Sequence, residues 1–346
     1  MRLSLRSSAN WLIPYAAVGV LSLALGQRSS GADDARAWLE KMNQALATRN
    51  YDGTFFHLTE GRVETMRIVH RVKAGSVTER LQSLDGSGRE FVRSNGELTC
   101  YLPDQHTVLV QPRLDHGPFL GSLPRFGSDV DQFYLIEALP ATHVLGRAAR
   151  VIAVHPKDQF RFGYRLWLDE STAMPLKTQL CDSSGRVIEQ ILFAHLDMPE
   201  NIADADLTPA VNTEGMRWVR QGPARDTGPS ALAEYRASEL PPGFHLTVSG
   251  VQTLGGTSAP AAHLVYSDGL ATVSVFVEAE APPKPAAEQT PSAPIEPPME
   301  GLARVGSGFA FSTVVQGHQV TAVGEVPAQT VEFIAHSVKS FDAHRK

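Results

Sequence analysis

The clearest pattern in the chain is a strict alternation of apolar and polar residues over positions 159–194. Successive side chains of a β-strand point to opposite faces, so a period of two predicts a strand that is buried on one side. Two short polar turns, at 169–172 and 182–185, divide the stretch into three strands. Strands joined by such short turns must pair antiparallel. The first strand presents an apolar, aromatic face made of Phe160, Phe162, Tyr164, Leu166 and Leu168.

Shorter segments with the same period precede this stretch, and we count about ten antiparallel strands before residue 200. Helical spacing is clear at residues 33–47, where Leu39, Met42 and Leu46 share one stripe. A shorter helix is predicted at residues 129–139. A sheet of this many strands tends to curl. The pattern therefore predicts a curled half-barrel with helices across its mouth, which cover the aromatic face.

The character of the sequence changes after this sheet. Residues 208–229 are rich in Gly, Pro, Thr and charge around the isolated Trp218, and we interpret them as a linker in which Trp218 is anchored against one domain. Residues 33–207 then form the half-barrel domain. Residues 230–340 predict a small α+β domain, with a short helix at its start, two hairpins at 263–278 and 308–324, and a C-terminal helix.

Two segments lack any periodicity. Residues 115–128 are rich in Gly and Pro with scattered apolar residues, a composition typical of a lid or of a buried crossing. Residues 281–298 consist mostly of Pro and Ala, which predicts a disordered insertion inside the second domain.

The first 26 residues have the pattern of an export signal. Arg2 and Arg6 precede an apolar run at 11–25, and small residues at Ala24 and Gly26 suit a cleavage site. The alternative is an uncleaved membrane anchor, but the run is shorter than the roughly 20 residues that span a bilayer. We therefore expect an exported periplasmic protein. In that oxidising compartment Cys100 and Cys181 could form a disulfide or remain two buried thiols, and the sequence leaves both open.

Composition and motifs argue against several classes of function. The net charge of −6 does not favour nucleic acid as a partner. The chain contains no nucleophile elbow, no phosphate-binding glycine loop and no His-Glu-x-x-His zinc motif. Its twelve histidines do not lie at metal-ligand spacing with a second ligand. We therefore expect a protein that is not an enzyme and has no metal or cofactor.

The aromatic face is the strongest functional signal that the residues themselves provide. Lined by apolar side chains, a half-barrel could hold acyl chains. The alternative is an ordinary core, permanently covered by the helix at 33–47. A second candidate is a basic stripe of Arg67, Arg71, Arg161 and Arg165 for a phosphorylated head group, against the simpler interpretation of a solvated outer face. The candidate acyl-binding residues are Phe55, Met66, Ile68, Phe160, Phe162, Tyr164 and Leu166.

Several segments, in this order along the chain, resemble the MucB/RseB family of periplasmic sigma-E regulators. No single one is specific, but the ordered set covers nearly the whole mature chain. In the first part they are YDGTF at 51–55, ERL at 79–81, LDG at 84–86, PKD at 156–158 and RFGYRLWLD at 161–169. In the second part they are LPPGF at 240–244, HLVYSDGL at 263–270 and VGEVP at 323–327.

The resemblance implies a fold and a function. Such proteins have a LolA-like open β-barrel followed by a smaller α+β domain. They bind the periplasmic part of a membrane anti-sigma factor, RseA or MucA, and shield it from proteolysis. Lipopolysaccharide or mislocalised lipoproteins displace them. The implied lipid binding agrees with the aromatic face found above.

The resemblance also implies that the small domain contacts the anti-sigma factor. We place that contact on two strands, at His263, Val265, Tyr266, Phe309 and Phe311. The alternative function is a periplasmic lipid or lipoprotein carrier with the same barrel, although a carrier would not need the second domain. Whether the chain forms a homo-oligomer is left open by the sequence.

Overall fold

A computed structural model describes residues 27–112, 130–220, 235–253, 260–278 and 300–341. Four of the expectations above lie outside these residues: the export signal, the lid or crossing at 115–128, the short helix near 230 and the Pro-rich insertion at 281–298.

The first domain is built on one twelve-stranded sheet. In chain order its strands are β1 (Tyr51–Thr59), β2 (Arg62–Lys73), β3 (Ser76–Ser83), β4 (Glu90–Ser94), β5 (Glu97–Leu102), β6 (Thr107–Pro112), β7 (Tyr134–Val144), β8 (Arg147–Pro156), β9 (Gly163–Asp169), β10 (Pro175–Cys181), β11 (Val187–Asp197) and β12 (Arg217–Arg220). Within the sheet, neighbouring strands follow the order β12-β6-β5-β4-β3-β2-β1-β11-β10-β9-β8-β7, and every pair is antiparallel except β6 with β12. The sheet is open, with β7 and β12 at its two edges.

A long helix, α1 (Gln27–Thr48), packs on this sheet. Its buried residues Ala35, Leu39, Met42 and Leu46 repeat at helical spacing, so that one stripe enters the core. The mainly β, α+β fold with a large open antiparallel sheet, expected from the alternation, is confirmed. The helix at 33–47 is confirmed as well.

The second domain is a six-stranded antiparallel sheet covered by one helix, α3 (Ala328–Ser337), with a two-stranded pair beside it. Both hairpins expected from the sequence are confirmed. A single short helix, α2 (Asp204–Leu207), follows the first domain's last antiparallel strand. The strands are β13 (Tyr235–Ala237), β14 (His245–Thr253), β15 (Pro260–Ser267), β16 (Thr272–Glu278), β17 (Gly301–Val305), β18 (Gly308–Val315), β19 (His318–Gly324) and β20 (Val338–Ser340).

The helix predicted at 129–139 is wrong. A single 3-10 turn, Val130–Gln132, is followed by strand β7, in which Tyr134 and Ile136 are buried and Leu135 is exposed. Burial alternates at the start of this strand, as in a strand with one face on the core, and β7 pairs with β8 as an edge of the sheet.

Strand β9 begins at Gly163 and not near residue 159. The residues before it form a bend, so Phe160 does not continue the aromatic face of the strand. The predicted linker was also incomplete, since β12 adds a parallel strand to β6 within it. Trp218 lies on that strand and is 57% exposed, so it is not anchored by burial.

The possible disulfide is not formed. Cys100 lies on β5 and Cys181 on β10, and five strands separate β5 from β10 in the sheet. Both cysteines are free and buried. The structure therefore shows the alternative, two separate buried thiols, because position in the sheet and not spacing in the sequence sets their distance.

Candidate functional site at the junction of the two domains

The structure brings most of the predicted acyl-binding side chains together, but in a filled core. They share one hydrophobic cluster with Leu39 and Met42 of α1, and each is at most 8% exposed. The face is therefore covered as part of a core, as the alternative interpretation had it, although Leu270 and Phe309 of the second domain pack on the same cluster as α1. The six that meet there are Phe55, Met66, Ile68, Phe162, Tyr164 and Leu166.

The predicted basic stripe is wrong. Arg67 forms two hydrogen bonds to the Asp52 carboxylate, at 3.0 and 2.7 Å, and Arg71 pairs with Asp204 at 2.6 Å. Arg161, expected on a solvated face, is completely buried. Arg67, Arg71 and Arg161 therefore pair with carboxylates of the same chain and do not form the predicted stripe.

Arg161 instead enters the junction between the two domains. Its Nη1 lies 3.2 Å from Oδ2 of Asp268, in the turn between β15 and β16, and both side chains are fully buried. Its Nη2 donates to the carbonyl oxygen of Pro242 in the second domain. On its own side, Nε lies 3.3 Å from Asp158. A charge removed from water needs such partners, since burial without them is very unfavourable.

Asp268 uses both carboxylate oxygens. Oδ1 accepts hydrogen bonds from the backbone N–H groups of Leu270 and Ala271, at 2.8 and 2.7 Å, which closes the hairpin turn. Oδ2 accepts a hydrogen bond from the hydroxyl of Tyr134, on the first domain, at 3.1 Å. Burial, together with the Asp268 charge, raises the pKa of Tyr134, so that this hydroxyl stays a donor.

Aromatic rings enclose the ion pair. The Arg161 guanidinium lies 4.8 Å from the ring centre of Phe133 and 5.3 Å from that of Phe244 in the second domain. Gly243, at φ +84°, packs directly on Phe133, because a Cβ there would lie 2.4 Å from a ring carbon. Cation–π attraction is strongest where water is excluded, as it is here.

Helix α3 makes a second contact between the domains. Thr330 is fully buried, and its hydroxyl donates to the carbonyl oxygen of Phe160 at 2.7 Å. The ring of Phe160 meets that of Phe333 edge to face, with centres 5.7 Å apart. Phe160, predicted to line the concave face, therefore packs on the second domain.

A third contact is made by carboxyl groups. Glu189 on β11 is 3.2 Å from Nε2 of His57 on β1. Glu325, just after β19, reaches the same point from the second domain, where it contacts Glu189 and accepts a hydrogen bond from the hydroxyl of Ser307.

The pKa values of these three groups diverge. Burial, helped by the Glu189 charge, raises the pKa of Glu325 to about 8. Burial alone would also raise the pKa of Glu189, but the hydrogen bond from His57, together with the neighbouring Ser307 and Glu325, outweighs it and lowers that pKa. The hydrogen bond to Glu189 raises the pKa of His57. Near neutral pH the cluster thus holds an ionised Glu189 beside a neutral Glu325.

The five predicted partner-binding residues do not share one face. His263 and Val265 lie on the outer face of the second sheet, where His263 stacks on Phe276 with ring centres 4.6 Å apart. Tyr266 is 1% exposed in the core, and its hydroxyl accepts a hydrogen bond from the backbone N–H of Ala237. Phe309 and Phe311 belong to the partly buried shell of the same core, and Phe311 packs against His336 of α3.

Sequence reasoning missed the junction as a unit. Four of its residues come from segments that carry the family resemblance: Arg161 from RFGYRLWLD, Gly243 from LPPGF, Asp268 from HLVYSDGL and Glu325 from VGEVP. The one available signal was a charged residue inside a strongly apolar run, at Arg161. Alternation alone assigned it to solvent, because the covering domain is distant in the sequence.

Within the described residues, no group of His, Cys, Asp and Glu side chains is arranged to hold a metal ion. Nor does that part of the chain contain a helix of the length and apolarity needed to cross a membrane.

Two family models match the chain. The MucB/RseB N-terminal domain matches residues 34–211, and the MucB/RseB C-terminal domain matches residues 229–339. The sigma factor AlgU regulatory protein MucB of Pseudomonas aeruginosa is 34% identical over 322 residues, which cover 91% of this chain and 94% of that protein. The sigma-E factor regulatory protein RseB of Escherichia coli K12 is 26% identical over 325 residues, 92% of this chain and 94% of that protein.

Solved structures agree with these matches. The Pseudomonas aeruginosa MucA/MucB complex contains a chain with a TM-score of 0.66 and 30% identity, covering 90% of this chain and all of that one. A crystal structure of MucB has a TM-score of 0.59 at the same identity and covers 90% of this chain and 99% of that one.

Proposed function

The chain belongs to the MucB/RseB family, and on that premise we propose that it is a negative regulator of a sigma-E-type envelope stress response. It binds the periplasmic segment of a membrane anti-sigma factor of the RseA/MucA class. While bound, it denies a protease access to that segment, so the sigma factor stays sequestered. The protein acts in the periplasm as a binding protein and not as an enzyme.

One observation carries this proposal: the likeness extends over both domains to a protein solved together with its partner. The TM-score of 0.66 covers 90% of this chain and the whole of the MucB chain in the MucA/MucB complex. A lipid carrier built on the first sheet would need no second domain. The alternative of a carrier is therefore less well supported.

Two parts of the proposal concern sites. We place the partner-binding surface on the outer face of the second sheet, at His263 and Val265, because Tyr266 lies in the core. The releasing signal is an acyl chain from lipopolysaccharide or a mislocalised lipoprotein. Because most of the predicted acyl-binding side chains are buried in one cluster with Leu39 and Met42 of α1, an acyl chain can reach them only if part of that packing, such as the α1 stripe, moves out.

The experiment is a binding titration of the mature chain with the periplasmic segment of its cognate anti-sigma factor, with and without lipopolysaccharide. We expect tight binding that lipopolysaccharide weakens. Val265→Asp should weaken segment binding at least tenfold, because it puts a charge on a half-buried apolar position. Leu135→Asp, on the exposed edge of the large sheet, is the matched control and should bind like the wild type.

Retention of lipid without any binding of the segment would favour the carrier instead. Equal segment binding by Val265→Asp and the wild type would move the partner surface away from this face and leave the regulator itself intact.

A further inference from the structure

We propose that one proton, carried by Glu325 and donated to Glu189, stabilises the closed junction through the third contact, and that loss of this proton favours separation of the two domains. The proposal concerns the two domains alone and does not depend on any partner.

The geometry gives this proton a specific place. The carboxyl groups of Glu189 and Glu325 interact with each other. Because Glu189 belongs to the first domain and Glu325 to the second, this interaction crosses the junction. Two carboxylates in contact repel, whereas a carboxylic acid donates a strong hydrogen bond to a carboxylate. Ser307 contributes its hydroxyl to Glu325 from the turn before β18. One bound proton therefore converts repulsion between the domains into a hydrogen bond.

The groups around Glu325 reinforce this arrangement. From the first domain, Nε2 of His57 lies 3.2 Å from Glu189, and Tyr164 supplies a buried hydroxyl whose pKa is raised by burial. Glu64 also faces His57, at 3.8 Å, and its own charge is balanced by Arg62 and Arg89. The two charges that act most strongly on Glu325 are those of Glu189 and His57. A second negative charge at this point therefore has little compensation.

The sign of the pH dependence follows from the raised pKa of Glu325, about 8 against an ordinary 4.5. Between these values an exposed Glu325 is ionised, while the closed junction keeps the proton. Closing therefore takes up a proton, and it becomes less favourable as the pH rises through this window. His57, whose pKa is also raised, acts in the same direction above 6.5. Glu189, whose pKa is lowered, acts in the opposite direction only below 4.5.

Opening of the junction can be measured by chemical labelling of a position that is buried in it. Thr330 is fully buried against Phe160 of the other domain, so the thiol of Thr330→Cys reacts with a labelling reagent only when the domains separate. The background carries Cys100→Ala and Cys181→Ala to remove the native thiols. The quantity measured is the labelling rate of this parent divided by that of its Glu325→Gln version. The ionisation of the thiol affects both rates equally and cancels in the ratio.

We expect Glu325→Gln, a fixed neutral side chain, to keep the junction closed at every pH. The ratio should then rise about tenfold per pH unit between about pH 5 and pH 8 and level off above. Glu137→Gln, on the exposed edge strand, is the matched control and should label like the parent. A ratio that does not change with pH would overturn the proposal.

A second measurement needs no substitution and covers the case in which Glu325→Gln does not fold. In the full chain with carbon-13 at the glutamate carboxyl positions, one resonance should titrate with a pKa of about 8. If every glutamate carboxyl titrated below about pH 6, the shared proton would not exist.

Discussion

Arg161 and Asp268 form a fully buried ion pair, 3.2 Å apart, between a bend of the first domain and a hairpin turn of the second. Each charge also has further partners, namely Pro242 and Asp158 for the arginine, and Tyr134 and two backbone N–H groups for the aspartate. A pair of this kind specifies one relative orientation of the domains, because any shift leaves a buried charge without its counter-ion.

We expect Arg161→Met to lower the free energy of unfolding by about 3–5 kcal/mol, since Asp268 stays buried without its cation. Urea unfolding measures the change. Arg186→Met is the matched control: Arg186 pairs with Asp182 while 65% exposed, and its loss should change stability by less than about 1 kcal/mol. If Arg161→Met changed the free energy of unfolding as little as the control does, the buried ion pair would not stabilise the arrangement of the two domains.

Gly243 tests the close approach of the two domains. Alanine there adds a Cβ that would lie 2.4 Å from a carbon of Phe133, at a positive φ of 84°. We expect Gly243→Ala to lower stability by about 1–3 kcal/mol more than strain alone. Gly146→Ala gives the strain alone, because its φ is 73° and no atom lies near its Cβ position. Thermal or urea unfolding measures both variants. Equal losses of stability in Gly243→Ala and Gly146→Ala would contradict the contact between Gly243 and Phe133.

His70 gives the first domain a sensitivity to acid. It is buried, stacks on Tyr51 with ring centres 4.5 Å apart, and contacts the carbonyl oxygen of Arg49 at 2.9 Å. Burial lowers its pKa from 6.5 to about 4. Between these values the unfolded chain binds a proton that the folded chain does not, so stability falls as the pH is lowered through this window.

In His70→Gln this loss should be absent. The difference in unfolding free energy between wild type and variant should therefore change by about 1.4 kcal/mol per pH unit inside the window. Urea unfolding at several pH values measures it. A difference that stays constant with pH would mean that His70 is protonated in the folded protein.

Met42 tests whether acyl chains use the covered face. Truncation to alanine removes part of the α1 stripe from a fully buried position, which should lower stability by about 2–5 kcal/mol. The space left by the side chain should raise the affinity for a fluorescent acyl probe. Leu264→Ala, in the core of the second domain, is the control of similar size and should leave the affinity unchanged. An unchanged affinity in Met42→Ala would place the acyl site elsewhere.

A charge at Phe162 is a poor test of acyl binding, although the sequence places this residue among the candidate acyl-binding side chains. It is 6% exposed in the same cluster as Tyr164, so Phe162→Asp would bury an unpaired carboxyl group in the core. Loss of acyl binding in that variant would then reflect the loss of the fold and not of a contact.

The sequence by itself determined the features that depend on local periodicity. The stripe of Leu39, Met42 and Leu46 predicted α1, and the alternation in β9 to β11 predicted antiparallel strands, because each pattern reflects which side of one element meets the core. The same local argument succeeded for the second domain's hairpins. It failed at residues 129–139, where too few apolar positions distinguish a helix from an edge strand.

Only the tertiary structure decided what covers each face. Alternation correctly predicted that Arg161 and Phe162 face in different directions. Arg161, however, meets Asp268 of the second domain and not water. Cys100 and Cys181 are kept apart by the strands between them, and Glu325 keeps its proton because Glu189 and the surrounding burial come from another domain. Burial, distance and pKa at these positions depend on segments far away in the chain, and no local pattern contains that information.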